Sequence, residues 1–256
     1  AATATIRGAE RDSMLMFGRT LNVFPPPVKT ANDNFFAVAD TTPGKGRLHA
    51  GILGPKNKAQ TLFAQPAGSL LQRIYEVSQT SSDPDGPVID PYWTMVAYFN
   101  SLRELGNAQS MLSERIPEFT KRYSETNSSD ERQIGNTKEL TSRRTASELK
   151  EQKAALRQRK GQTGSVDAVV TTNMFQVGID IPRLGLMIIN GQPRSNSEYI
   201  QSSGRVGRKH PGLVVSLLRS KYPRDQSHFE SFRSFHQEIY RHVDVTSTTP
   251  FSIRAL

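Results

Sequence analysis

Short apolar runs punctuate this chain at 47–53, 94–99, 138–141, 167–172, 185–189 and 212–218. Runs of this length, bounded by polar turns, read as buried strands. Between them lie segments with a helical stripe. Residues 69–78 place Leu70, Leu71, Ile74 and Val77 on one side, and 102–123 and 147–158 read as further helices. A short helix starts at Ser195, with Glu198 three residues on as a capping box. Residues 226–242 form a last helix carrying Phe229, Phe232, Phe235 and Ile239. That stripe reads first as core or docking surface, with base stacking as the alternative. Residues 9–40 read as an irregular connector in which Pro25–Pro27 is stiff and extended. The tract 79–91, rich in Ser, Asp and Pro, is a loop, and 124–136 is expected to be a polar, mobile one. Strands alternating with helices predict an α/β domain around a parallel sheet. There are no internal repeats.

One stretch carries the chemistry. In Gln201-Ser-Ser-Gly-Arg-Val-Gly-Arg208 each arginine directly follows a glycine, and the two stand three residues apart. If the capped helix continues through them, they share one helical face. Their planar, permanently charged forks suit the oxygens of a phosphate chain. This is the sequence form of an arginine finger, although an isolated motif of this kind is also compatible with an exposed basic turn. Upstream, Thr172, Gly178 and Asp180 form a T-x5-G-x-D pattern between two apolar strands. Strand, polar loop, strand, loop, capped helix is how an open parallel sheet presents a binding edge.

The block 171–183 resembles motif V of superfamily 2 helicases, and 201–208 resembles motif VI, Q-x-x-G-R-x-G-R. Thr94-Met-Val-Ala-Tyr-Phe-Asn-Ser101 is placed like motif IV, and Ala2-Thr-Ala-Thr-Ile6 is similar to motif III. The wording of Phe17-Gly-Arg19, Phe24-Pro-Pro-Pro27, Tyr98–Leu105, Glu139–Arg143 and Asn190–Pro193 resembles DrmA-like helicases of bacterial DISARM anti-phage systems.

The resemblance implies an α/β, RecA-like lobe with an open, mainly parallel sheet and helices on both faces. It implies that 1–40 is the end of a first motor lobe plus connector, 41–242 the helicase C-terminal lobe, and 243–256 an extension. Arg205 and Arg208 would meet the γ-phosphate side of ATP, with Gln201 aligning them. Gly178 and Asp180 would lie near the nucleotide, and Thr172, Asn173, Asn100 and Ser101 near the nucleic-acid backbone. Asp180 as a cap of the turn before Pro182, and Thr172 as an ordinary strand-end hydroxyl, remain open. Val177 departs from the arginine common in relatives, so no nucleotide contact is carried over there. The implied cofactors are ATP and Mg²⁺, held mainly by the first lobe. The implied partners are nucleic acid, with DNA favoured, the first RecA-like lobe of the same protein, and proteins of a defence system. A duplex translocase that separates no strands, and a non-catalytic docking lobe, are the rival functions.

The absences reinforce this division of labour. No G-x-x-x-x-G-K-[ST] occurs; Gly44-Lys-Gly46 lacks both the first glycine and the hydroxyl residue. Asp130-Glu131 follows no apolar strand, so no metal-binding Asp-Glu box is found. The expectation is a second motor lobe cut from a longer protein just before motif III.

The chain has no Cys, and its five His include no H-x3-H pair, so no metal site is expected. Neither a signal peptide nor a membrane span is apparent, which points to the cytoplasm. The net charge is +9. Arg205, Arg208, Lys209, Arg219, Lys221 and Arg224 occur with no intervening carboxylate, and are expected to form one basic edge for a phosphate backbone. The charged run 142–160 reads mainly as a solvated helix with internal ion pairs, and only secondarily as a DNA contact.

Overall fold

The computed structural model describes residues 8–24, 26, 35, 38, 46–55, 59–172 and 180–243. The expected motif III, most of the proline run, Asn173, Gly178 and most of the 243–256 extension lie outside them.

Six strands form one sheet in the order β1-β6-β5-β2-β4-β3: β1 (Arg47–Gly54), β2 (Met95–Phe99), β3 (Thr137–Leu140), β4 (Ala168–Thr171), β5 (Leu186–Asn190) and β6 (Gly212–Arg219). Every pairing is parallel. Parallel strands need crossover connections, and here these are mostly helical. Successive side chains point to opposite faces, and both faces are covered. On β2, Met95, Ala97 and Phe99 join one core, and Val96 and Tyr98 the other. The first core is closed by α2 (Ala59–Thr80), α4 (Leu102–Ser110) and α5 (Ile116–Asn127). The second takes Leu156 after α6 (Ala146–Ala155), Tyr199 on α7 (Asn196–Ser203) and Phe235 on α9 (Phe232–Gln237). Two short helices, α3 (Asp90–Trp93) and α8 (Pro223–Glu230), complete the set that follows β1. With β2, β4 and β5 buried throughout, each large aliphatic side chain there contributes roughly 1.5–3 kcal/mol. The architecture is the α/β open parallel sheet with helices on both faces.

Several expectations are corrected. A helix, α1 (Ala9–Phe17), occupies part of the expected irregular connector. Its apolar residues Met14–Phe17 are consecutive and exposed, so they left no stripe to read. Gly18, in the left-handed region, ends it by donating its N–H to Met14 O at 3.0 Å.

The helix expected at 69–78 begins at Ala59 and runs through Pro66. Leu62, Phe63 and Ala67 are buried around that proline, and their packing outweighs the lost backbone bond. The helix from Leu102 passes Pro117 by way of a π turn, Met111–Arg115, and Ile116 N–H reaches Met111 O there.

The expected mobile tract 124–136 is pinned. Arg132 is 1 % exposed; it donates to Leu71 O (3.3 Å), Trp93 O (2.8 Å) and Asp167 Oδ1 (3.2 Å), with its guanidinium over the Trp93 ring. The expected last helix is broken into α8, α9 and a 3₁₀ turn, Ile239–His242. Of its aromatic stripe, Phe235 is buried in the second core and Phe229 is exposed.

Candidate functional site

Helix α7 begins as the sequence predicts, with Ser195 Oγ accepting from Glu198 N–H at 3.0 Å. The Glu198 carboxylate takes the Tyr98 hydroxyl, which ties α7 to β2. The helix stops at Ser203, so the two arginines do not share a helical face. They stand in the turns that follow, and Gln201 lies in the last turn of the helix. Gly204 ends the helix just before Arg205, and Gly207, in the left-handed region, turns the chain just before Arg208.

The loop that holds the arginines is fixed from three directions. Val206 is fully buried in the second core. Gly207 N–H donates to Leu184 O at 2.8 Å. Gly207 also sits at φ 67°, where a Cβ would come within 2.7 Å of Gly212 Cα, so both conformation and space call for glycine. Arg47, at the start of β1, donates through Nε to Val206 O (2.6 Å) and through Nη2 to Gly204 O (3.2 Å). Sequence reasoning missed Arg47. Its partners lie far along the chain, and only the β1–β6 register, Arg47 opposite Gly212, brings it there.

On this frame Arg208 Nη1 meets Asp180 Oδ1 at 2.7 Å, with the side chains 36 % and 60 % exposed. Arg208 Nε also donates to Gly204 O at 3.2 Å. Burial holds the Arg205 guanidinium below its ordinary pKa; Arg208 adds to this and Asp180 opposes it. Two cations and one carboxylate thus share a half-open surface, a cluster suited to an incoming polyanion.

The strand-end residues form a separate group. Thr172, 5 % exposed, directly follows β4. Asn100 follows β2, and its amide donates to Asn190 O and Gly191 O, both at 3.1 Å. Its Oδ1 is buried with no hydrogen-bond partner among the described residues. Ser101 caps α4, accepting from Glu104 N–H at 3.2 Å. Asn100 and Ser101 therefore serve the fold, whatever else they contact.

These residues lie at the carboxyl edge of the sheet, and the Arg208 loop lies at the amino edge. The register places Thr172 level with Leu217 and the loop beside Gly212, about 17 Å apart along the strand direction at ~3.3 Å per residue. The basic run 205–224 is consequently not one patch. Arg205, Arg208 and Lys209 precede β6, while Arg219, Lys221 and Arg224 stand at or beyond its other end. Arg219 is held by Glu104 at 2.8 Å and Asp225 at 3.5 Å, and Arg224 donates to Pro193 O and Arg194 O. Lys221 is exposed with no partner among the described residues.

Among the described residues no group of three or more His, Cys, Asp or Glu converges as a metal site, and no helix is long and apolar enough to cross a membrane.

Residues 99–210 match the helicase conserved C-terminal domain. The chain is 41 % identical to the DISARM protein DrmA of Bacillus paralicheniformis over its whole length, and spans 23 % of that protein. It is 33 % identical to the uncharacterised ATP-dependent helicase YprA of Bacillus subtilis over 63 residues, 25 % of this chain and 8 % of that one. The fold is similar to helicase MrfA bound to DNA and AMPPNP, with TM-score 0.57 and 20 % identity over 99 % of this chain and 29 % of that one. It is likewise similar to the Mycobacterium smegmatis helicase Lhr bound to ssDNA and AMP-PNP, with TM-score 0.55 and 16 % identity over 96 % and 27 %. The chain thus spans about a quarter of DrmA and of the two solved helicases, carries the helicase conserved C-terminal domain over residues 99–210, and is folded as a RecA-like lobe.

Proposed function

We propose that this chain is the C-terminal motor lobe of an ATP-dependent nucleic-acid helicase, supplying an arginine finger and part of the nucleic-acid track. The observation that carries the reading is the Arg208–Asp180 pair, poised on a loop locked by Arg47, Val206 and Gly207. A fixed cation facing a site of developing charge needs no reorganisation as reaction proceeds, which is where electrostatic catalysis gains most. Arg208 would leave Asp180 for the γ-phosphate side of the nucleotide, and Arg205 would support it. ATP supplies the phosphoanhydride, and Mg²⁺ would be held mainly by residues of the first lobe. Gly178 and Asn173 keep the roles the resemblance gives them, beside nucleotide and nucleic-acid backbone respectively. At the carboxyl edge, Thr172 and Lys221 would face the backbone of nucleic acid. Contacts to phosphate position a strand without reading its sequence. DNA is the favoured strand, because the whole-length relative belongs to an anti-phage system. The same relationship favours a cytoplasmic protein acting with other defence proteins.

The test is steady-state ATP hydrolysis by the intact protein with saturating oligonucleotide. Arg208→Ala should reduce turnover by roughly 10³-fold, the lower end for arginine fingers, and Arg205→Ala should behave similarly. Turnover within a few-fold of wild type in either variant would remove that residue from the finger and favour a docking role for the lobe.

A further inference from the structure

We propose that a second cavity, beside the finger loop but outside it, is a binding site for a small phosphate-type oxyanion. It has a volume of about 280 Å³ and is walled by Asp85 and Asp90, by Arg157 and Arg159 after α6, and by Arg183 and Lys209. Ile181–Arg183 directly follow Asp180, and Lys209 directly follows Arg208, so the cavity adjoins the Asp180–Arg208 pair. Neither Arg205 nor Arg208 lines it.

Both carboxylates in the wall are already engaged. Asp90 Oδ1 accepts from Arg183 Nη1 at 3.2 Å and from Lys160 N–H at 2.8 Å, and Asp85 Oδ1 accepts from Lys160 Nζ at 2.6 Å. Arg183, 9 % exposed, forms the floor and also donates to Leu156 O (2.8 Å) and Thr94 Oγ1 (2.6 Å). The side chains of Arg157, Arg159 and Lys209 carry no hydrogen bond or ion pair among the described residues. Three unanswered cations therefore ring a cavity whose acidic groups are neutralised. Burial holds the Arg183 guanidinium below its ordinary pKa; Asp90 opposes this, and the nearby Arg159 charge adds to it. An anion entering the cavity would relieve that crowding.

The ligand class follows from shape and lining. Arginine forks and an ammonium match an oxyanion with several acceptor oxygens. The volume falls below the usual range for drug-sized ligands, and His210 is the one aromatic ring in its lining, with no Phe, Tyr or Trp. One or two phosphate groups are recognised, whether free or carried on a nucleotide.

Calorimetric titration of the intact protein with orthophosphate, pyrophosphate and Mg²⁺-free ATP, at constant ionic strength, tests this. The variants are the Arg157→Ala/Arg159→Ala double, Lys209→Gln, and Arg208→Ala. Arg157, Arg159 and Lys209 are exposed, so their replacement leaves the core intact. The double variant should weaken phosphate binding by about tenfold or more, the worth of one charge-assisted hydrogen bond, and Lys209→Gln should weaken it too. Arg208→Ala should leave orthophosphate affinity within about threefold. Weakened orthophosphate and pyrophosphate binding assigns a free ligand, while weakened ATP binding alone assigns a phosphate borne on nucleotide. Unchanged affinity for all three in the double variant would overturn the site. So would orthophosphate binding that disappears with Arg208→Ala, since it would then belong to the finger.

Discussion

At the Tyr199 hydroxyl three polar side chains meet beneath helix α7. His236 Nδ1 stands 2.7 Å from Phe232 O, so that nitrogen carries the proton. His236 Nε2, 2.7 Å from Tyr199 Oη, then accepts the phenolic proton. The Tyr199 oxygen is left to accept from His49 Nδ1 at 3.0 Å, with Ser216 Oγ at 3.3 Å. Both imidazoles are neutral in this scheme. Burial, then His236, then Arg47 push the His49 pKa down to about 4; burial also lowers His236 and raises Tyr199. A histidine whose folded pKa is depressed binds protons better when unfolded. Stability is therefore complete above the unfolded value near 6.5 and is lost as pH falls towards 4. The urea midpoint should fall between pH 7 and pH 5, and His49→Gln should flatten that fall. Equal slopes for variant and wild type would show that these rings do not control it. Arg205 and Arg208 are legible in the sequence because their motif is local. Arg47 and the histidine pair are not, because parallel pairing assembles them from distant segments.

Among the elements, the tract after α5 departs most from its sequence reading. Composition made 124–136 a polar loop, yet its first residues complete α5 and Arg132 stitches the rest to α2, α3 and the start of β4. Burial lowers the Arg132 pKa to about 10, so it remains charged at neutrality and depends on Asp167. Removing one partner of such a pair strands the other. Arg132→Met should destabilise the fold by about 3–5 kcal/mol, and adding Asp167→Asn should recover part of that stability. A denaturant midpoint equivalent to under about 1 kcal/mol of change would mean that the tract is not a tether. Strand positions were legible, because an apolar run buried on two faces leaves its mark in any window. The start of the helix through Pro66 was not, because packing overrides local preference there.

Across the whole molecule, the sheet separates two groups of residues that the sequence draws together. Parallel alternation made the α/β class readable, but the order β1-β6-β5-β2-β4-β3 depends on distant pairings that no window records. With that order in place, one basic run divides between opposite edges of the lobe, at the two ends of β6, about 23 Å apart along the strand at ~3.3 Å per residue. The proposed finger at the amino edge and the proposed track at the carboxyl edge can then be altered independently. The most direct measurement pairs ATP turnover with oligonucleotide affinity, across a salt series, in the intact protein. Arg208→Ala should lose roughly 10³-fold in turnover and keep its affinity within about threefold. Lys221→Ala should weaken binding and shallow its salt slope by up to about 0.9 for each phosphate no longer neutralised, with turnover preserved at saturating oligonucleotide. Equally weakened binding in both variants, or normal turnover in Arg208→Ala, would contradict the account.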